Sequence, residues 1–113
     1  DNSIKFYIST YGGSADDMFS VHDVMRLVKQ DCDIETIGLG KIMSAGTLLL
    51  ASGTKGKRKI FKNCRVMIHS VSAALANETN MTKRQIRKIL DQKVNVYLTA
   101  EEAVEYGLAD EVI

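Results

Sequence analysis

Apolar and polar positions alternate along Ile4-Lys5-Phe6-Tyr7-Ile8-Ser9, a run rich in β-formers that predicts a strand. Thr10-Tyr11-Gly12-Gly13 breaks the alternation, and the period then changes. Met18, Val21, Met25 and Val28 recur at helical spacing, with Phe19, Val24 and Leu27 widening the stripe into a core-facing side. Ser14 followed by Asp17 opens this helix in the manner of a capping box. His22 rides on it as a surface or boundary residue. A second alternating run, Ile34 to Gly40, predicts the next strand. Lys41-Ile42-Met43-Ser44-Ala45-Gly46 reads as a turn, and Thr47-Leu48-Leu49-Leu50-Ala51-Ser52, almost free of charge, as a buried helix stopped by Gly53.

Shorter elements follow. Lys55-Gly56-Lys57-Arg58 reads as a solvated basic turn, since it lacks the glycine spacing of a phosphate loop. Arg58 to Phe61 and Arg65 to His69 read as strands, and 70–80 as loop or irregular strand. Thr82 with Gln85 forms a capping box for a helix whose buried side is Ile86, Ile89 and Leu90, ending near Lys93. Lys83, Arg84, Arg87 and Lys88 make its other face basic and solvated. Val94 to Leu98 is extended, Thr99 with Glu102 caps a last helix, Gly107 stops it, and Ala109 to Ile113 closes as a strand.

Strand, Gly-Gly turn, helix and strand make a βαβ unit, which places the chain in the α/β class with a parallel sheet and a right-handed crossover. Ligands of such sheets gather beyond the carboxyl ends of the strands. The Gly12-Gly13 turn and Ser44 both fall on that edge. Two loops far apart in sequence are therefore expected to meet.

Length and composition narrow the picture only a little. The 113 residues suffice for a single domain, 1–113. Lys plus Arg is 15 and Asp plus Glu 14, for a net charge of +1, so no nucleic acid or acidic partner is called for. Cys32 and Cys64 form no CxxC pair, which fits a reducing, cytoplasmic compartment. The few His and Cys show no zinc spacing, so no metal is expected. No apolar run is long enough to cross a bilayer, so no membrane span is expected. The opening directly on strand-like residues predicts that an N-terminal segment is missing.

Two residues offer chemistry. A serine at the first turn of a buried helix commonly caps it. It can instead present its hydroxyl as a nucleophile, with the free N–H groups of the helix start facing any negative charge that forms. His69 ends a strand on the same loop edge. Alone it is an ordinary capping or surface histidine; beside Ser44 it becomes a candidate base.

Five stretches in register then resemble the Clp protease proteolytic subunit (ClpP) family of the ClpP/crotonase superfamily. They are Phe6 to Ser14, Met43-Ser44-Ala45-Gly46, Gly53 to Arg58, Asn63 to His69 and Tyr97 to Asp110. The resemblance implies a ClpP/crotonase-like fold of repeated β-β-α and βαβ units. It also implies a serine peptidase of unfolded polypeptides that assembles as a homo-oligomeric ring. Such a ring is fed by an AAA+ unfoldase, and only that partner uses ATP; the chain itself needs no cofactor. By the same resemblance Ser44 is the nucleophile, His69 the general base, and the Gly13 and Ala45 amides the oxyanion hole.

The sequence departs from that family in three places. Asn95 stands where the family has the aspartate that orients the base, with Asp91 as a substitute four residues upstream. The stretch 70–94 lacks the family's glycines and has room for one helix only, so the handle that joins two rings is shortened. Tyr11 replaces the proline before the Gly-Gly turn. These departures motivate a second reading, a weakly active or noncatalytic regulatory subunit that co-assembles with another ClpP. A crotonase-like acyl-CoA enzyme is the third.

Overall fold

The structure, a computed structural model, describes residues 2–68, 79–80, 82, 84–85 and 96–113. Among these the chain runs β1 (Ile4–Thr10), α1 (Ala15–Val28), β2 (Ile34–Met43), α2 (Gly46–Ala51), β3 (Arg58–Ile60), β4 (Arg65–Ile68), β5 (Val96–Leu98), α3 (Ala100–Glu105) and β6 (Glu111–Val112). The strands form one mixed sheet organised on β2. β1 runs parallel along one edge of β2, while β3 and then β4 run parallel along the other. β6 extends the sheet beyond β3 in parallel, and β5 beyond β4 in antiparallel fashion.

β2 is longer than its sequence pattern suggests. Gly38 and Gly40 punctuate it, so Lys41 to Met43 reads as a turn; in the fold these three residues pair with Arg65, Val66 and Met67 of β4. Gly40 takes φ +72°, which lets the strand change direction and continue. Ile42 is completely buried as a result. Only Ser44 and Ala45 remain as the turn into α2.

α2 lies directly on β2. The Thr36 hydroxyl donates to the Leu50 carbonyl at 2.8 Å, and a Cβ at Gly38 would meet Ile42 and Leu50 at 3.2 and 3.4 Å. The bare glycine thus sets how closely the helix approaches. Leu50, Ile60, Val66, Ile68 and Leu108 close the core around this contact. Each such side chain contributes roughly 1.5–3 kcal/mol by leaving water.

α1 follows its pattern at the start and departs from it further on. Ser14 is the N-cap, accepting from the Asp17 N–H at 3.4 Å, and Met18 and Met25 are buried. The rest of the stripe is not: Val21 and the widening residues Phe19, Val24 and Leu27 stay exposed. Helical period identifies one apolar side, but how much of it is covered depends on what the rest of the chain lays against it. Here the covering is narrow. His22 is a boundary residue whose Nδ1 lies 2.8 Å from the Ser52 hydroxyl.

Arg58 corrects the reading of a solvated basic turn. It is buried, and its Nε and Nη2 grip the two oxygens of Asp110 at 2.9 and 2.7 Å. Its Nη1 donates to the carbonyls of Ala51 and Gly107. The side chain therefore fastens the end of α2 to the α3–β6 corner. Hydrogen bonds from Arg58 hold the Asp110 carboxyl below its ordinary 3.8, against the opposing effect of burial.

Both downstream caps form. Thr82 and Gln85 exchange side-chain-to-backbone hydrogen bonds at 2.8 and 3.1 Å, as do Thr99 and Glu102 at 3.0 and 3.1 Å. Gly107 follows α3 at φ +81°, the left-handed stop expected of it. Apart from Thr82, Arg84 and Gln85, the helix expected from Thr82 to Lys93 lies outside the described residues.

Candidate functional site

Ser44 joins β2 to α2 at φ +56°, the one non-glycine residue with positive φ among the described residues. An L-residue held there costs roughly 1–2 kcal/mol. Several bonds impose the conformation. The Ser44 N–H donates to the Met67 carbonyl at 2.8 Å, and the Ser44 carbonyl accepts from the Thr47 N–H at 3.1 Å and hydroxyl at 2.8 Å. The side chain does not cap the helix. Ala45 occupies the N-cap position without a side-chain bond, and the Ser44 hydroxyl has no hydrogen-bond partner among the described residues.

The Gly12-Gly13 turn comes against this corner, as the parallel-sheet argument anticipates. Gly12 sits at φ +111°, and a Cβ there would stand 2.9 Å from the Ser44 Cβ and 3.4 Å from its Oγ. Glycine is required on both counts, conformation and room. Gly13 and Ala45 then border one cavity of about 220 Å³, walled by Met18, Val21 and Leu49. No backbone hydrogen bond engages the Gly13 or the Ala45 amide among the described residues. Free N–H groups beside an apolar recess can solvate a negative charge that forms there.

Of the five residues singled out from the sequence, the structure brings Ser44, Gly13 and Ala45 together. His69 and Asn95 lie outside the described residues, as does Asp91. Their covalent neighbours are described. Ile68 of β4 and Val96 of β5 are register partners in an antiparallel pair, so one end of one strand pair leads to His69 on one side and from Asn95 on the other. The same β4 supplies the Met67 carbonyl that holds Ser44. Sequence reasoning passed over Thr10, seen only as a strand breaker. Its Oγ1 accepts the Gly12 N–H at 3.0 Å. The signal was a threonine two residues ahead of a glycine, the spacing of a side-chain-closed turn.

Among the described residues no group of His, Cys, Asp and Glu could hold a metal ion, and no helix is long and apolar enough to cross a membrane.

The sequence model of the Clp protease family matches residues 1–75 and 70–113. Two curated relatives are each named ATP-dependent Clp protease proteolytic subunit 1. The one from Bifidobacterium longum is 34% identical over 139 positions, which take in all of this chain and 58% of the relative. The one from Thermobifida fusca is 34% identical, covering all of this chain and 61% of that protein. This chain thus spans less than two thirds of the length of these relatives. The crystal structure of the ClpP protease catalytic domain from Plasmodium falciparum superposes with a TM-score of 0.88 at 39% identity, covering 99% of this chain and 68% of that one. The α/β architecture expected from the resemblance is therefore the observed one, and the chain belongs to the Clp protease family.

Proposed function

We propose that the chain is a peptidase subunit of the Clp type that hydrolyses peptide bonds through an acyl-enzyme on Ser44. The observation that carries this is the Ser44 corner itself. A hydroxyl stands on a strained strand-to-helix turn, pressed against Gly12 and next to the unengaged amides of Gly13 and Ala45. Serine hydrolases of other folds raise their nucleophile on the same kind of turn. Ser44 Oγ attacks the scissile carbonyl while His69 takes its proton. The oxyanion is received by the Gly13 and Ala45 N–H groups, and His69 returns the proton to the leaving amine. Water, activated by His69, then releases the acyl group and restores Ser44.

His69 needs an orienting partner, and Asn95 is the better candidate over Asp91. The Ile68–Val96 pairing supports it, because these residues are the immediate neighbours of His69 and Asn95. Asp91 is four residues further from that anchor. An amide can accept the imidazole N–H but adds no charge to steady the imidazolium.

The reading extends to a single domain over 1–113, to unfolded polypeptides as substrates, to a ring of copies in the cytoplasm, and to an AAA+ unfoldase that alone consumes ATP. No cofactor is assigned. A shortened handle belongs to it too. The Bifidobacterium alignment needs 139 positions to hold the 113 residues of this chain, and the family model matches in two pieces that meet at 70–75.

The full chain should react with a fluorophosphonate at Ser44, and Ser44→Ala should not; absence of labelling in the wild type at every pH near neutrality overturns the proposal. Asn95 and the shortened handle favour one alternative, a weakly active or noncatalytic subunit that co-assembles with another ClpP. Native mass measurement of mixtures with an intact ClpP tests it, and mixed rings without labelling at Ser44 would favour the alternative.

A further inference from the structure

β1 does not simply stop at the Gly-Gly turn. Ile8 pairs with Gly38 but Thr10 with Ile42, so the register slips just before the strand ends. The slip brings Thr10, half-buried, to the place where the turn and α2 approach each other. Its Oγ1 accepts the Gly12 N–H at 3.0 Å and lies 3.4 Å from the Gly12 carbonyl. Its methyl lies over Gly46, where an added Cβ would overlap it. A single side chain therefore touches the loop that carries the Gly13 amide and the helix start that carries the Ala45 amide. With the Gly12 N–H committed to Thr10, the next N–H along the chain is the one left without a backbone partner.

We infer that Thr10 is a positioning residue for the oxyanion site. Its hydroxyl fixes the Gly12-Gly13 turn, and its methyl, seated on Gly46, adds a smaller packing contact with the helix start that carries Ala45. It need touch neither substrate nor the reacting atoms. The inference rests on the reading of Ser44 as nucleophile and deepens it. Two amides serve one oxygen only when their separation is set, and a misplacement near 1 Å at a reacting centre costs about 100-fold.

Two variants separate the two ends of the side chain. Thr10→Val keeps the shape and the methyl but cannot accept the Gly12 N–H. Thr10→Ser keeps the hydroxyl and loses the methyl. Fluorophosphonate labelling of the full chain is followed as a function of reagent concentration, giving a maximal rate and a half-saturating concentration, both normalised to folded protein. Thr10→Val should lower the maximal rate about 100-fold with the half-saturating concentration unchanged, and Thr10→Ser by less than about tenfold. Exchange of the Gly12 amide hydrogen, followed by NMR, should speed up about tenfold or more in Thr10→Val and stay slow in Thr10→Ser.

Equal labelling rates in wild type and Thr10→Val, or a loss that vanishes on normalisation to folded protein, overturns the inference and leaves the reading of Ser44 standing. Unchanged Gly12 exchange in Thr10→Val does the same. No labelling of the wild type removes the reading of Ser44, and this inference with it.

Discussion

Gly12 and Ser44 touch across the two loops at the carboxyl edge of the sheet, so closely that a methyl on the glycine would lie 2.9 Å from the serine Cβ and 3.1 Å from the Met43 carbonyl. Backbone oxygen cannot give way as a flexible side-chain end can. Gly12→Ala also forces an L-residue to φ +111°. The variant should lose about 1–2 kcal/mol of stability in urea unfolding and, where still folded, at least about 90% of Ser44 labelling. A fully labelled, equally stable variant would contradict the contact.

Ser44 should be a site where stability and chemistry oppose each other. Its left-handed conformation costs roughly 1–2 kcal/mol, while a glycine adds about 0.5–1 kcal/mol of unfolded-state freedom. Ser44→Gly is therefore expected to be more stable than wild type by up to about 1 kcal/mol in denaturant titration, and inert to fluorophosphonate. Ser44→Ala keeps the conformational cost and should gain little.

Asn95→Asp should raise the labelling rate. In the Ser-His-Asp template the reverse change lowers turnover about 10⁴-fold, through the wrong tautomer and an unsupported imidazolium. A gain of about 10-fold or more, read as kcat/KM on a peptide ester or as labelling rate, is the expected outcome. The same gain from Asp91→Asn in the wild-type background is not expected.

The Arg58–Asp110 pair should make stability acid-sensitive. The Asp110 pKa is lowered in the fold from 3.8, so its contribution is complete above the unfolded-state value and is lost as pH falls through the lower folded-state value. Asp110→Ala leaves a buried guanidinium without its carboxylate and should cost about 3–5 kcal/mol at neutral pH. Urea unfolding of wild type and variant at pH 7 and below pH 3 should show the difference shrinking in acid.

The two cysteines should react unequally. Burial raises the Cys64 thiol to about 11, whereas Cys32 is partly exposed in the turn between α1 and β2. Native protein at pH 8 should titrate one thiol with Ellman's reagent and denatured protein two.

The local pattern carried much of the fold. Alternation marked β1 and the first part of β2, a Ser–Asp start marked α1, the Thr99–Glu102 box marked α3, and Gly107 marked its stop, because each depends on residues within a turn of one another. Long-range decisions were not legible in the same way. Lys41 to Met43 became strand because β4 came alongside, and Arg58 became buried because Asp110, far along the chain, supplied its partner. The outer half of the α1 stripe stayed exposed because nothing among the described residues covers it.

For the site, the residue pattern offered Ser44 and placed it on one edge with the Gly12-Gly13 turn, since every parallel strand delivers its carboxyl end to the same side; the roles given to Gly13 and Ala45 came from the family resemblance. Only the tertiary structure decided what Ser44 does with its backbone. Helix-capping rules offer serine a local partner, but the Met67 carbonyl and the press of Gly12 hold it in a left-handed turn. That conformation is unfavourable by itself and exists because contacts from β4 and from the Gly12 turn outweigh it. No window of neighbouring residues contains those contacts.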